Sequence, residues 1–333
     1  MLVGAKTASI RTRAIGLTAV ILAILSSAES VASAVEPDPP VACTLCEAWN
    51  MPHEPFRVYG NTFYVGVAGL SVILIASNKG LILLDGALPQ SAPLIAASIA
   101  KLGFRVEDIR LMVNTHTHFD HAGGIAALQR ASSASVAASP SGARALEAGG
   151  PTDDDPQFGF RNNGFPLVQS VRSVSDNETL RVGELAITAR LTPGHTPGST
   201  TWTWRSCEAD RCLNIVYADS LSAMSAPGFR FAGDESRPST VDGFMHSIAR
   251  VESLPCDVLL TPHPEFFDMD AKLQRWREQP NVNPFIQSES CKHYAVQARR
   301  NLQHRLDEER VASGKKQARR LALRDHGPRR NVS

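Results

Sequence analysis

The stretch Asn114 to Gly124, NTHTHFDHAGG, sets three histidines and an aspartate within six positions, in a chain of 333 residues that has only 10 histidines. It follows directly on IRLMVNT, an almost continuous apolar run that reads as a strand buried on both faces. Imidazole and carboxylate groups crowded in this way need a reason, because burial and mutual repulsion both work against them. A bound metal supplies one: these are ligand types that suit Zn²⁺, at distances of about 2.0–2.2 Å. His116 and His118 alternate as on an extended segment and so point the same way. Asp120 and His121 follow where the chain must turn, and Gly123 and Gly124 permit close backbone approach and entry into a helix. A loop of this kind at a strand end can present two groups of ligands to two adjacent sites.

Two later motifs offer the ligands that the cluster lacks. His195 stands in TPGHTPGST, between Pro193-Gly194 and Pro197-Gly198, and His263 stands in TPHPE between Pro262 and Pro264. Each follows a predicted strand and is held by proline or glycine. A single loop histidine is more often a surface or hydrogen-bonded residue than a ligand, but two more in the same setting complement the cluster. His53, His246, His293, His304 and His326 have no such setting and read as structural.

Along the chain, FRVYG, TFYVGVA, SVILIAS and LILLDG read as strands, punctuated by GN and NKG turns. Residues 91–102 read as a helix with Ser91 as its cap, Pro93 in its first turn and Gly103 as its stop. After IRLMVNT, the segments ELAITARLTP, TTWTWRS and LNIVYADS are further strands, followed by a helical TVDGFMHSIARVESL and a buried strand in DVLLTPH. Strands and helices in this order predict sheets packed together under helices, an α/β architecture. No low-complexity linker divides the chain, which reads as one domain over 35–311. From Tyr294 a charged helical pattern runs on and then dissolves into GKKQARRLALRDHGPRRNVS, so 312–333 is expected to be a solvated, basic, unstructured tail.

The first 34 residues look like a secretory leader: Lys6, Arg11 and Arg13, the apolar run of residues 14–25, then VASA with cleavage after Ala34. That apolar run is short against the roughly 20 residues that span a bilayer, so no stable membrane insertion is expected. Export to the periplasm makes the six cysteines, Cys43, Cys46, Cys207, Cys212, Cys256 and Cys291, read as disulfides. The Cys43-x-x-Cys46 spacing would also suit zinc, but no second such pair stands near it. Hydrophobic content of 43% with 20% charge is ordinary globular composition, and a net charge of +1 points to no nucleic acid.

H-x-H-x-D-H, then G-H-T-P-G, then a late P-H-P together resemble the metallo-β-lactamase superfamily, over roughly residues 56–294. YADSLS, GHTPGST, WTW and LPCDVLLTPHP are similar to its third β-lactamase subclass. The resemblance implies an αβ/βα sandwich of two mixed sheets flanked by helices, with two zinc ions per chain. It carries His116, His118 and His195 to the first zinc, and Asp120, His121 and His263 to the second. Other subclasses place a cysteine ligand where this chain has Ser220. Ser220 and Ser222 would then bind the carboxylate of a β-lactam. The implied reaction is hydrolysis of the β-lactam amide of penicillins, cephalosporins and carbapenems by a metal-bound hydroxide, with Asp120 as catalytic residue, in a monomer that confers antibiotic resistance. Cys256–Cys291 and Cys207–Cys212 match bridges seen in the subclass. Relatives with a third bridge can place its second cysteine where this chain has Ala68, so Cys43 and Cys46 are expected to pair locally. A rival within the superfamily is a hydrolase of lactones or thioesters in which Asp219 bridges both metals.

Overall fold

The computed structural model describes residues 1–5 and 35–325. Residues 6–34, which hold the apolar run and cleavage site of the expected leader, and 326–333 lie outside the described residues. Residues 1–5 form no helix or strand.

Seven strands form one sheet in sequence order: β1 (Phe56–Tyr59), β2 (Thr62–Tyr64), β3 (Ile73–Ser77), β4 (Gly80–Leu84), β5 (Ile109–Val113), β6 (Ser135–Ala138) and β7 (Val171–Ser173). β1 to β4 pair antiparallel, and β4 to β7 pair parallel. The second sheet runs β12 (Val258–Leu260), β11 (Arg211–Tyr217), β10 (Thr200–Glu208), β9 (Leu185–Leu191), β8 (Thr179–Val182), with only β11 and β12 parallel. Both sheets are thus mixed. The helices are α1 (Cys46–Trp49), α2 (Ala92–Lys101), α3 (Phe119–Ala122), α4 (Ile125–Ser132), α5 (Pro140–Ala148), α6 (Val241–Ser253), α7 (Met269–Glu278) and α8 (Ser290–Asp325).

The period-2 alternation of strands explains the layering. In β3 and β4, Ile73, Ile75, Ile82 and Leu84 join one core with Trp202, Trp204 and Ile215 of the second sheet. Their neighbours Leu74, Leu81 and Leu83 join another core with Ile95 and Ile99 of α2 and Ile125 and Leu128 of α4. The first sheet is therefore covered on one face by the second sheet and on the other by helices. Phe244 and Ile248 of α6 and Ala295 and Leu302 of α8 extend the first core beyond the second sheet. This is the two-sheet sandwich that the sequence predicts.

Two local expectations change. Ser91 does not cap α2; its hydroxyl accepts the Leu88 N–H at 3.2 Å and donates to Asn50 Oδ1 at 2.6 Å. The helix that carries Tyr294 does not end near Gly314 but continues to Asp325. One glycine costs a helix interior about 1 kcal/mol, and the Lys, Gln, Ala, Arg and Leu residues after it are all good helix formers.

All six cysteines are paired: Cys43–Cys46, Cys207–Cys212 and Cys256–Cys291. The second bridge joins directly opposed residues of the β10–β11 hairpin. The third, across 35 positions, ties the segment before β12 to α8, and closing a loop of that size stabilises by about 2–4 kcal/mol.

Candidate metal centre

β10 is antiparallel to both β9 and β11, and β12 is parallel to β11, so β9, β11 and β12 all end at the same edge. From these ends emerge His195, Asp219 and His263; from the end of β5 emerges the His116–His121 loop. That loop is fastened to both sheets. Asp85, just past β4 and 1% exposed, accepts from Asn114 Nδ2 (2.9 Å), Thr115 N (2.7 Å), Thr115 Oγ1 (2.8 Å) and Tyr217 OH (2.9 Å). Burial pushes its carboxyl up to about 7 against the Thr115 and Tyr217 donors. From the second sheet, Thr200 N donates to Thr115 O at 2.8 Å and Trp202 Nε1 to Asn114 O at 3.0 Å. Gly124 lets the chain pass close by: a Cβ there would lie 2.2 Å from the Gly86 carbonyl oxygen.

The predicted residues come together as two groups of three. One donor atom from each of His116, His118 and His195 lies within 4.8 Å of the others, and the same holds for Asp120, His121 and His263. The rings of the first group stand 4.7–4.9 Å apart at 77–90°. The groups adjoin, with the His116 and His121 rings 4.4 Å apart.

In the second group His121 Nε2 is 3.2 Å from His263 Nε2, and Asp120 Oδ2 is 3.3 Å from the former and 3.4 Å from the latter. Three ligands at 2.0–2.1 Å from one tetrahedral ion would be separated by about 3.3–3.4 Å. The donor triangle therefore has the size that a zinc-like ion sets. The first group passes a different test. Each ring has one nitrogen held by an oxygen: His116 Nδ1 by Asp219 Oδ1 (2.7 Å), His118 Nε2 by Asp155 Oδ1 (3.2 Å) and His195 Nδ1 by the Ser222 carbonyl (2.8 Å). Such bonds orient metal-binding imidazoles and fix which nitrogen keeps its lone pair. His116 Nε2 is buried with no hydrogen-bond partner among the described residues. The residues present fit a divalent metal.

Charge agrees with geometry. Burial, aided by neighbouring histidines, lowers His116 and His121, and takes His195 down to about 3. A neutral imidazole is the form that binds metal. Burial opposes ionisation of Asp120, but His121 and His263 outweigh it and hold the carboxyl well below its usual range. Burial likewise works to lower His263, yet the Asp120 carboxylate raises it.

A sequence model described as the metallo-beta-lactamase superfamily matches residues 65–208. The Rm3 metallo-beta-lactamase is 46% identical with a TM-score of 0.78, over 81% of this chain and 99% of that one. The chain belongs to the metallo-β-lactamase superfamily. It is a hydrolase of that family, and similar to MEM-A1, a subclass B3 metallo-beta-lactamase from a soil metagenome library, at 45% identity, TM-score 0.76, over 79% of this chain and 99% of that one. A hydroxyacylglutathione hydrolase of Cereibacter sphaeroides is 28% identical over 194 residues, 58% of this chain, and the chain spans about three-fifths of its length, 62%.

Some residues of this superfamily site were not singled out in the sequence. Asp155 lies in TDDDP, which reads as a solvated acidic loop. Asp85 had a signal, a carboxylate ending the apolar run LILL. Trp49 of α1 packs its ring 5.3 Å from that of His263. Ser220 is 2% exposed and Ser222 half-buried, both beside Asp219 after β11; the contact of Ser222 with the cluster is through its backbone carbonyl.

Proposed function

We propose that this protein hydrolyses the amide bond of β-lactams, with two zinc ions held by His116, His118 and His195, and by Asp120, His121 and His263. The observation that carries the reading is the pair of adjoining donor triangles, the first with its outer nitrogens already held, in a chain so similar to subclass B3 enzymes. Zinc, when bound, supplies Lewis acidity and lowers the pKa of coordinated water from 15.7 to about 7. Asp219 Oδ1, Asp155 Oδ1 and the Ser222 carbonyl accept the outer ring protons of His116, His118 and His195, so these rings need no reorientation during reaction. Asp120 stays ionised and orients the attacking oxygen. The hydroxyls of Ser220 and Ser222 bind the substrate carboxylate. Three disulfides support export into an oxidising compartment, the periplasm, with a mature chain starting at Val35.

The placement of Asp219 speaks against the rival lactone or thioester reading. Its carboxylate is fully buried, with Oδ1 on the outer nitrogen of His116, and it is not among either donor group. The test is turnover of a penicillin, a cephalosporin, a carbapenem and a homoserine lactone by zinc-loaded protein. Hydrolysis of the β-lactams, abolished by a chelator and restored by zinc, is expected, and Asp219→Asn should retain both ions. Release of metal by that variant, with the lactone the better substrate, would establish the rival.

A further inference from the structure

A cavity of about 430 Å³ opens between α7 and α8, lined by none of the six metal-site residues. Its walls include Leu221, Leu259, Phe267 and Tyr294, and its size falls in the range of small-molecule sites. Lys272 of α7 also lines it and is only 2% exposed. The Lys272 ammonium sits 5.7 Å from the ring centroids of both Phe267 and Phe285. It makes no hydrogen bond or ion pair with any described residue. Burial takes it down to about 8, against the pull of Asp268. A lysine is almost never this buried without a partner, because desolvating the charge is costly.

We infer that this cavity binds a small monocarboxylate with an apolar or aromatic body, its carboxylate on Lys272 Nζ. An anion there makes the direct ion pair with Lys272 that no described residue makes, and the apolar walls take the body. Glu265 and Asp268, both exposed and lining the same cavity, disfavour a second negative charge. The cavity lies beside the proposed reaction site and shares Ser222 with it, the residue whose carbonyl supports His195 and whose hydroxyl is proposed for the substrate carboxylate.

Benzoate is a suitable probe, titrated calorimetrically into the zinc-loaded protein alongside benzamide, which has the shape without the charge. Benzoate should bind one to one and benzamide at least tenfold more weakly. Lys272→Met should weaken benzoate by roughly thirtyfold or more, the scale for removing one partner of a buried charge pair, without lowering the Tm. Unchanged binding in that variant would put the anion elsewhere, for example on the metal, and overturn the inference, as would no binding at all. A second readout uses the wild type alone. Benzoate should slow acetylation of Lys272 by acetic anhydride, read by peptide mass, and leave the exposed Lys292 unaffected. Equal labelling with and without benzoate would also overturn it.

Discussion

Each histidine of the first group offers one nitrogen to the cluster, while the other is held by an oxygen from a distant part of the chain. The six candidate ligands were legible in the sequence because they carry their setting with them, strand ends marked by glycine and proline. The residues that hold them were not. Asp219 is 103 positions from His116 and Asp155 is 37 from His118, and nothing local in TDDDP marks out its third aspartate. Asp155 also accepts the Gln157 N–H at 2.7 Å, so its carboxylate is fixed before it meets His118. Removing such a partner commonly costs 10–100-fold in metal affinity. Asp155→Ala should therefore weaken binding at the first group by about that factor, with the second group little changed, in a chelator competition. Asp155→Asn keeps an acceptor oxygen and should recover part of the loss. Equal weakening of both ions in Asp155→Ala would show that it disturbs the loop as a whole instead.

Among elements, strands with an apolar or aromatic run were readable, even three-residue β2 and β12, and those without one were not. β3, β4, β5 and β11 stand where their alternation or continuous apolarity places them, whereas three-residue β7, with Val171 half-buried and its other two residues exposed, has no pattern to read. The same holds for α3, only four residues long, which nonetheless carries Asp120 and His121. What enables α3 to pass directly into α4 is close packing on the turn after β4. Gly86 N donates to His121 O at 2.8 Å, and Gly124 N donates to Ala87 O at 3.2 Å. Gly124→Ala would force its Cβ against backbone atoms, which cannot swing aside as a side chain would. Overpacking of this kind costs about 1–3 kcal/mol. The variant should melt earlier and also bind its second-group metal more weakly, because the strain falls between Gly86 and α3. A lower Tm with unaltered metal affinity would show that the turn and the site are mechanically separate.

At the scale of the molecule, the metal centre is a cluster of buried ionisable groups between two sheets, so metal, protons and folding are linked. Consider the metal-free protein. His116, His121 and His195 are all lowered from 6.5, His195 to about 3, by burial. In that range the unfolded chain binds protons that the folded one refuses, so stability falls as pH drops below about 6.5. Asp120, lowered from 3.8, adds a further loss below that pH. His263 works the other way: it is raised, so its contribution is present in acid and lost as pH rises through its folded value. Between about pH 4 and 6.5 the three lowered histidines are opposed by the buried carboxyls of Asp85 and Asp219, both raised, while His263 acts above 6.5, so the net slope should be a modest loss of stability in acid. Metal strengthens the contrast near neutrality, since an ion that binds only the folded form at 1,000 times its Kd stabilises by about 4.1 kcal/mol. That gain declines in acid as protons compete for the same imidazole lone pairs. Thermal unfolding between pH 4 and 8 should thus show the zinc-loaded Tm several degrees above the metal-free one at neutral pH, with the two converging as the pH falls. The metal-free Tm should itself decline from about pH 6.5 downward. A metal-free Tm that rose on acidification would mean that His263 and the raised carboxyls of Asp85 and Asp219, rather than the lowered imidazoles, govern the titration of the centre.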